Sequence, residues 1–83
     1  MAVKIFWQNE CPHCPKTKEL GEKLEKNGVK VEYFDIKSID GLTEAAYFSV
    51  MSTPSLIITD EKNNEIFGWR GQTPDIKDIE AHL

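Results

Sequence analysis

Hydrophobic and polar positions alternate along Ala2–Trp7, with Val3, Ile5 and Trp7 on one face and Lys4 and Phe6 on the other. A period of two is the signature of a β-strand, and an aromatic on the second face as well predicts a strand central in its sheet. From Lys16 to Asn27 the period changes to that of a helix. Thr17, Leu20, Gly21 and Leu24 form a narrow apolar stripe, surrounded by Lys16, Lys18, Glu19, Glu22, Lys23, Glu25 and Lys26. This charge reads as a solvated face. Glu19 with Lys23 and Glu22 with Lys26 stand in the favourable i,i+4 order, worth about 0.2–0.5 kcal/mol each. Asn27-Gly28 predicts a left-handed stop. Val29–Ile36 is a second strand, with Val31 and Tyr33 against Lys30 and Glu32. Strand, helix and strand in this order require a right-handed crossover and parallel pairing.

Asp40-Gly41 predicts the start of a short helix over Leu42–Ser49, with Leu42, Ala45, Ala46 and Phe48 facing inward. Ser55–Thr59 and Glu65–Trp69 are apolar strand patterns separated by the turn-rich Asp60–Asn64, which predicts an antiparallel hairpin. After the loop Arg70-Gly71-Gln72, Thr73 is read as the cap of a last helix. Pro74 stands at its first position, and Ile76, Ile79 and Leu83 face the core. The order βαβαββα predicts an α/β fold in which a four-stranded mixed sheet carries helices on both faces. No linker, repeat or low-complexity segment interrupts residues 1–83, which are read as one domain.

Length and charge narrow the picture. A chain of 83 residues supports one modest core, since chains this short bury only about 60–65 per cent of their unfolded surface. Ten basic against fourteen acidic residues give a net charge of −4, which offers no attraction to nucleic acid or an anionic membrane surface. No run of about 18 apolar residues is present. Met1-Ala2-Val3-Lys4 leads straight into a strand without an apolar signal core, so a cytoplasmic location is expected. In a reducing compartment a cysteine pair is more plausibly catalytic than a staple.

The only two cysteines lie in Cys11-Pro12-His13-Cys14-Pro15, where the first strand gives way to the charged helix. Cys11 is expected at or next to the helix N-cap, with Pro12 at the first helical position. Free N–H groups and the helix dipole there favour a thiolate. Pro15 conflicts with a helix capped by Cys11 and implies a shifted start. Cys14, three residues on, falls on the same face, so two sulfurs so placed can open and close one disulfide. Half of a metal site is the competing reading. Zinc takes four ligands, and His13 and His82 are the only imidazoles, so one chain does not supply a closed site. Two chains sharing zinc or an iron–sulfur cluster through four thiolates remain the alternative, and a non-catalytic interaction domain using the Pro54 edge and the tryptophans is a third reading. Strand–loop–helix context favours redox chemistry.

With the Cys-Pro-His-Cys motif after the first strand and Thr53-Pro54 before the third, the whole chain resembles the thioredoxin superfamily, and its small size resembles the glutaredoxin branch. The resemblance implies a protein-disulfide reductase or glutaredoxin-type electron carrier. Cys11 would be the nucleophile, and Cys14 would resolve the mixed disulfide. It also implies a cis Pro54 facing the disulfide, with the Thr53 backbone left to pair with an extended substrate. A protonated His13 between the sulfurs would further stabilise the Cys11 thiolate. Trp69-Arg70-Gly71-Gln72-Thr73-Pro74-Asp75 is similar to the Trp-Ser-Gly-Phe-Arg-Pro-Asp stretch of redoxins that supply electrons to ribonucleotide reductase, matching at Trp69, Gly71, Pro74 and Asp75. Trp7 and Trp69 are expected to flank the disulfide, and substrate binding is assigned to Pro12, His13, Thr53, Pro54, Trp7, Trp69 and Gly71. The implied partners are disulfide-containing proteins, with thioredoxin reductase or glutathione as electron source. Glutathione would act as reductant rather than as a bound cofactor, no metal is implied, and a monomer is expected. Ile5 stands where thioredoxins proper carry a buried acid in the strand before the motif, so no such proton acceptor serves Cys14.

Overall fold

In a computed structural model that describes residues 1–83, four strands form one sheet: β1 Ala2–Trp7, β2 Lys30–Asp35, β3 Ser55–Thr59 and β4 Glu65–Arg70. Their order is β2-β1-β3-β4. The central β1 pairs in parallel with β2 and antiparallel with β3, so that Val3 faces Val31 on one side and Ile58 on the other. The β3–β4 hairpin is antiparallel, with a bulge between Ile58 and Thr59. Three helices complete the chain: α1 Cys14–Lys26, α2 Ile39–Tyr47 and α3 Ile76–Glu80.

Two cores lie on opposite faces of the sheet. Leu20 and Leu24 of α1 and Ile79 of α3 meet Val3, Ile5, Leu56 and Ile58 on one. Ala45 of α2, with Phe48 and Val50 just beyond it, meets Phe6 and Ile57 on the other. With both faces covered, every residue of β3 and all but the last of β1 are buried. Burial of each large apolar side chain is worth about 1.5–3 kcal/mol, so the two inner strands carry most of the apolar driving force.

Several helix ends differ from the sequence expectation. α1 begins at Cys14 with His13 as its cap residue, not at Lys16 or Pro12. This places Pro15 in the first turn, where the missing N–H costs nothing. The helix stop is as expected: Gly28 has φ +85°, its N–H bonds Glu25 O, and Val29 N–H bonds Leu24 O, a Schellman closure. Neither Glu19–Lys23 nor Glu22–Lys26 closes to ion-pair distance; the three ion pairs present are Lys4–Glu32, Lys4–Glu44 and Glu65–Arg70. α2 starts three residues early, because Ser38 Oγ accepts the Gly41 N–H at 2.9 Å and caps it. Gly41 is therefore inside the helix, where a Cβ would overlap the Asp35 carbonyl. Of the positions expected inward, Ala45 and Phe48 are buried, whereas Leu42 and Ala46 are exposed. The N-cap position of α3 is Asp75, not Thr73, with no side-chain capping bond, and Leu83 beyond the helix end is exposed. β2 is shorter than Val29–Ile36 by one residue at each end, and β4 runs one residue further, to Arg70.

Candidate active site

β1 ends at Trp7, and the loop Gln8–Glu10 carries the chain from the end of this central strand to Cys11. The next four residues form a tight turn: Cys14 N–H donates to Cys11 O at 3.3 Å, and His13 has φ −100° and ψ −6°. Those angles fit the third residue of a type I turn, with Pro12 at the second, where its fixed φ is favoured. Pro12 thus serves the turn before α1 rather than opening the helix, and Cys11 stands outside α1. The turn brings the two Cα atoms to 5.4 Å, and Cys11 and Cys14 are joined in a disulfide. Cys14 is 3% exposed and belongs to the core, whereas Cys11 is half-buried. No acidic residue lies in the first turn of α1. Lys18 Nζ lies 3.5 Å from the Trp7 ring centroid, a cation–π contact between the end of β1 and the second turn of α1.

The Thr53–Pro54 peptide bond is cis, as the resemblance implied. Pro54 is buried and Thr53 half-buried. Thr53 Oγ1 accepts from Gln8 Nε2 at 2.9 Å, tying this turn to the loop before Cys11. The Thr53 N–H and carbonyl bond no other backbone group. Gly71 has φ +75°, a left-handed conformation that favours glycine, and a Cβ there would stand 3.0 Å from Ser52 Oγ, which would have to shift slightly. A cleft of about 300 Å³ is lined by His13, Lys16, Pro54, Gly71, Gln72 and Thr73, and no acidic side chain enters it. A larger cleft of about 430 Å³ between α1 and Thr73–Lys77 shares Lys16 and Thr73 with it, and only the smaller one reaches His13 of the motif turn and Pro54.

Part of the sequence-assigned set therefore converges: Cys11, Pro12, His13 and Cys14 share the motif turn, and Pro54 and Gly71 line one cleft with His13, with Thr53 next to Pro54. The two tryptophans do not line that cleft: Trp7, at the end of β1, contacts Lys18, and Trp69 lies elsewhere. Its half-buried ring packs on the α1–α3 core, 4.8 Å from Phe67 and 5.7 Å from His82 between centroids, and does not line the cleft. His82 stacks on Phe67 at 4.0 Å. No group of three or more His, Cys, Asp or Glu side chains comes together as metal ligands. Ile5 is fully buried in the apolar core, so the strand offers Cys14 no acid. Arg70 turns away from the cleft to bind Glu65 through two bonds of 2.7 and 3.1 Å, and it donates to Phe48 O at 2.7 Å. It thereby satisfies a carbonyl at the end of α2. Sequence reasoning missed the roles of Ser55, Thr17 and Thr73, whose hydroxyls bond around the cleft. The signal available was a hydroxyl on an inward stripe, which demands a buried partner.

A thioredoxin-domain family model matches residues 1–83. The chain belongs to that family. It is 33% identical to "Probable Thioredoxin" of Archaeoglobus fulgidus over 60 residues, a match covering 71% of this chain and 66% of that one. It is 27% identical to thioredoxin of Methanocaldococcus jannaschii over 59 residues, covering 68% and 67% of the two chains. These matches thus span about two thirds of the length of the curated relatives. Among solved structures, thioredoxin-2 of a malaria parasite superimposes with a TM-score of 0.79 at 23% identity, covering 96% of this chain and 77% of that one. No helix is long and apolar enough to cross a membrane.

Proposed function

We propose that this chain is a thiol–disulfide oxidoreductase that reduces disulfides in protein substrates by dithiol exchange. In the reduced form the Cys11 thiolate attacks one sulfur of a substrate disulfide; a mixed disulfide forms and the other substrate sulfur leaves as a thiolate. The Cys14 thiolate then attacks the Cys11 sulfur and expels the second substrate thiolate. Two electrons have passed to the substrate, and the Cys11–Cys14 disulfide is left. One observation carries this reading: a disulfide whose first cysteine is half-buried and whose second is 3% exposed, set beside a cleft bounded by Pro54 and Gly71. The half-buried sulfur receives an outside partner, and the buried one is kept for the internal step. Thr53, with its backbone polar groups unpaired, would take the substrate chain as an added strand, while Pro12, His13, Trp7 and Gly71 surround the mixed disulfide.

No bound cofactor takes part in this cycle. Electrons return from thioredoxin reductase or from glutathione in a reducing compartment such as the cytoplasm. The finer assignment, a glutaredoxin-like electron carrier, is supported by the likeness of Trp69–Asp75 to redoxins that supply electrons to ribonucleotide reductase. Cys11→Ser should abolish insulin disulfide reduction, and Cys14→Ser should accumulate a mixed disulfide visible as a mass adduct; residual turnover by the Cys11 variant sinks the mechanism. Parallel assays with glutathione and glutathione reductase, or with thioredoxin reductase, read out the electron source directly.

A further inference from the structure

The Gly71–Thr73 segment is tied to its neighbours by side-chain hydroxyls. Ser55, fully buried at the start of β3, donates to Ser52 O at 2.7 Å and accepts the Gly71 N–H at 3.2 Å. Thr17, also fully buried, donates to His13 O at 3.2 Å, and its Oγ1 lies 2.6 Å from Thr73 Oγ1. Thr17 has one hydroxyl proton. With it placed on His13 O, Thr73 becomes the donor to Thr17, and both hydroxyls are satisfied. One short segment is thus fastened at one end to the turn before Pro54 and at the other to the carbonyl between the two cysteines. These three stretches are the walls of the 300 Å³ cleft.

Packing alone does not call for hydroxyls at these places. Valine would fill the space of Thr17 or Thr73, and alanine nearly that of Ser55, in positions where a polar atom must find a partner to be tolerated. We infer that Ser55, Thr17 and Thr73 are positioning residues that fix the width of the cleft for the polypeptide flanking a substrate's cysteine. The inference rests on the dithiol-exchange reading. It adds a division of labour: Cys11 and Cys14 exchange electrons with any disulfide they reach, and the hydroxyl ties act only on substrates long enough to fill the cleft. A wall already held in place spares the bound complex the cost of ordering that loop.

The test compares two oxidants of the pre-reduced protein in single-turnover mixing. One is a peptide disulfide extended on both sides of its cysteine, and the other is hydroxyethyl disulfide, which is too small to span the walls. For Thr73→Val and Ser55→Ala, the half-saturating peptide concentration should rise about five- to tenfold, the loss of one ordered contact. The rate with hydroxyethyl disulfide should stay within about twofold, and Thr73→Ser should return the peptide value toward that of the parent. Wild-type peptide saturation in both variants would overturn the inference, as would a loss on both oxidants in proportion to a lowered melting temperature. An unmodified protein that reacts with neither oxidant is a distinct result, which removes the exchange reading itself.

Discussion

Lys4 is a charged residue in the middle of a central strand, 4% exposed. Its ammonium lies 3.0 Å from Glu44 Oε1 and 3.6 Å from Glu32 Oε1, and 4.9 and 5.6 Å from the ring centroids of Phe34 and Phe48. A buried charge needs such partners, yet the pair as a whole adds little, because desolvation offsets attraction. Glu44→Gln should therefore destabilise the fold by about 1–2 kcal/mol, while Lys4→Met, close in volume, should stay within about 1 kcal/mol of the parent. Urea unfolding of both variants checks this, and an unchanged midpoint for the glutamine variant would show that Glu32 and the two rings hold the ammonium unaided. At this scale the cysteines and Pro54 were legible, because their spacing and order carry the chemistry. Lys4 was legible only as a residue sharing a face with Phe6. That the face is sealed depends on Ala45, Phe48 and Val50, which lie more than forty residues away. Trp69 reads the same in sequence whether it meets the disulfide or His82, and only the return of the chain end beside Phe67 decides between them.

α1 sits close on the sheet because Gly21 has no side chain: a Cβ there would stand 2.7 Å from Ile5 Cδ1 and 2.5 Å from Tyr33 Oη. The space is taken by the Tyr33 ring of β2, whose hydroxyl donates to Glu25 Oε1 at 2.8 Å and so fastens helix to strand. Burial first, then the Glu25 bond and the charges of Glu25 and Glu22, push the Tyr33 pKa up to about 12. The unfolded phenol ionises near 10. Below that pH both states keep the proton and this contact stabilises the fold in full; between about 10 and 12 the unfolded chain loses its proton first, and stability falls as pH rises. Tyr33→Phe should flatten the decline in melting temperature across that interval, and an unchanged alkaline slope would remove the assignment. Element type and order were legible from periodicity throughout, whereas helix starts were not. α2 shows the reason: Asp40-Gly41 has the composition of a turn, but Ser38 caps the helix ahead of it and Gly41 is a packing position against Asp35.

The whole molecule is three layers, α1 with α3, the sheet, and α2, and neither core depends on the Cys11–Cys14 bond for its contacts. This topology was legible because a helix between two strands permits one handed crossover, and a short turn between two more permits one hairpin. The cleft was not, since its walls come from three stretches distant in sequence that the hydroxyls of Thr17, Thr73 and Ser55 tie together, and such ties leave no periodic signal. The same separation of core from site predicts how the two redox states compare. The disulfide closes a loop of only four residues, so its constraint on the unfolded chain is at most about 2 kcal/mol. α1 stays anchored by Thr17, Leu20, Gly21 and Leu24 whether or not the bond is present. Reduction should therefore leave the far-ultraviolet circular dichroism unchanged and shift the melting temperature by no more than about 15 °C. A protein that loses its secondary structure on reduction would be using the bond as a staple. The exchange cycle would then have no folded dithiol state from which Cys11 could attack.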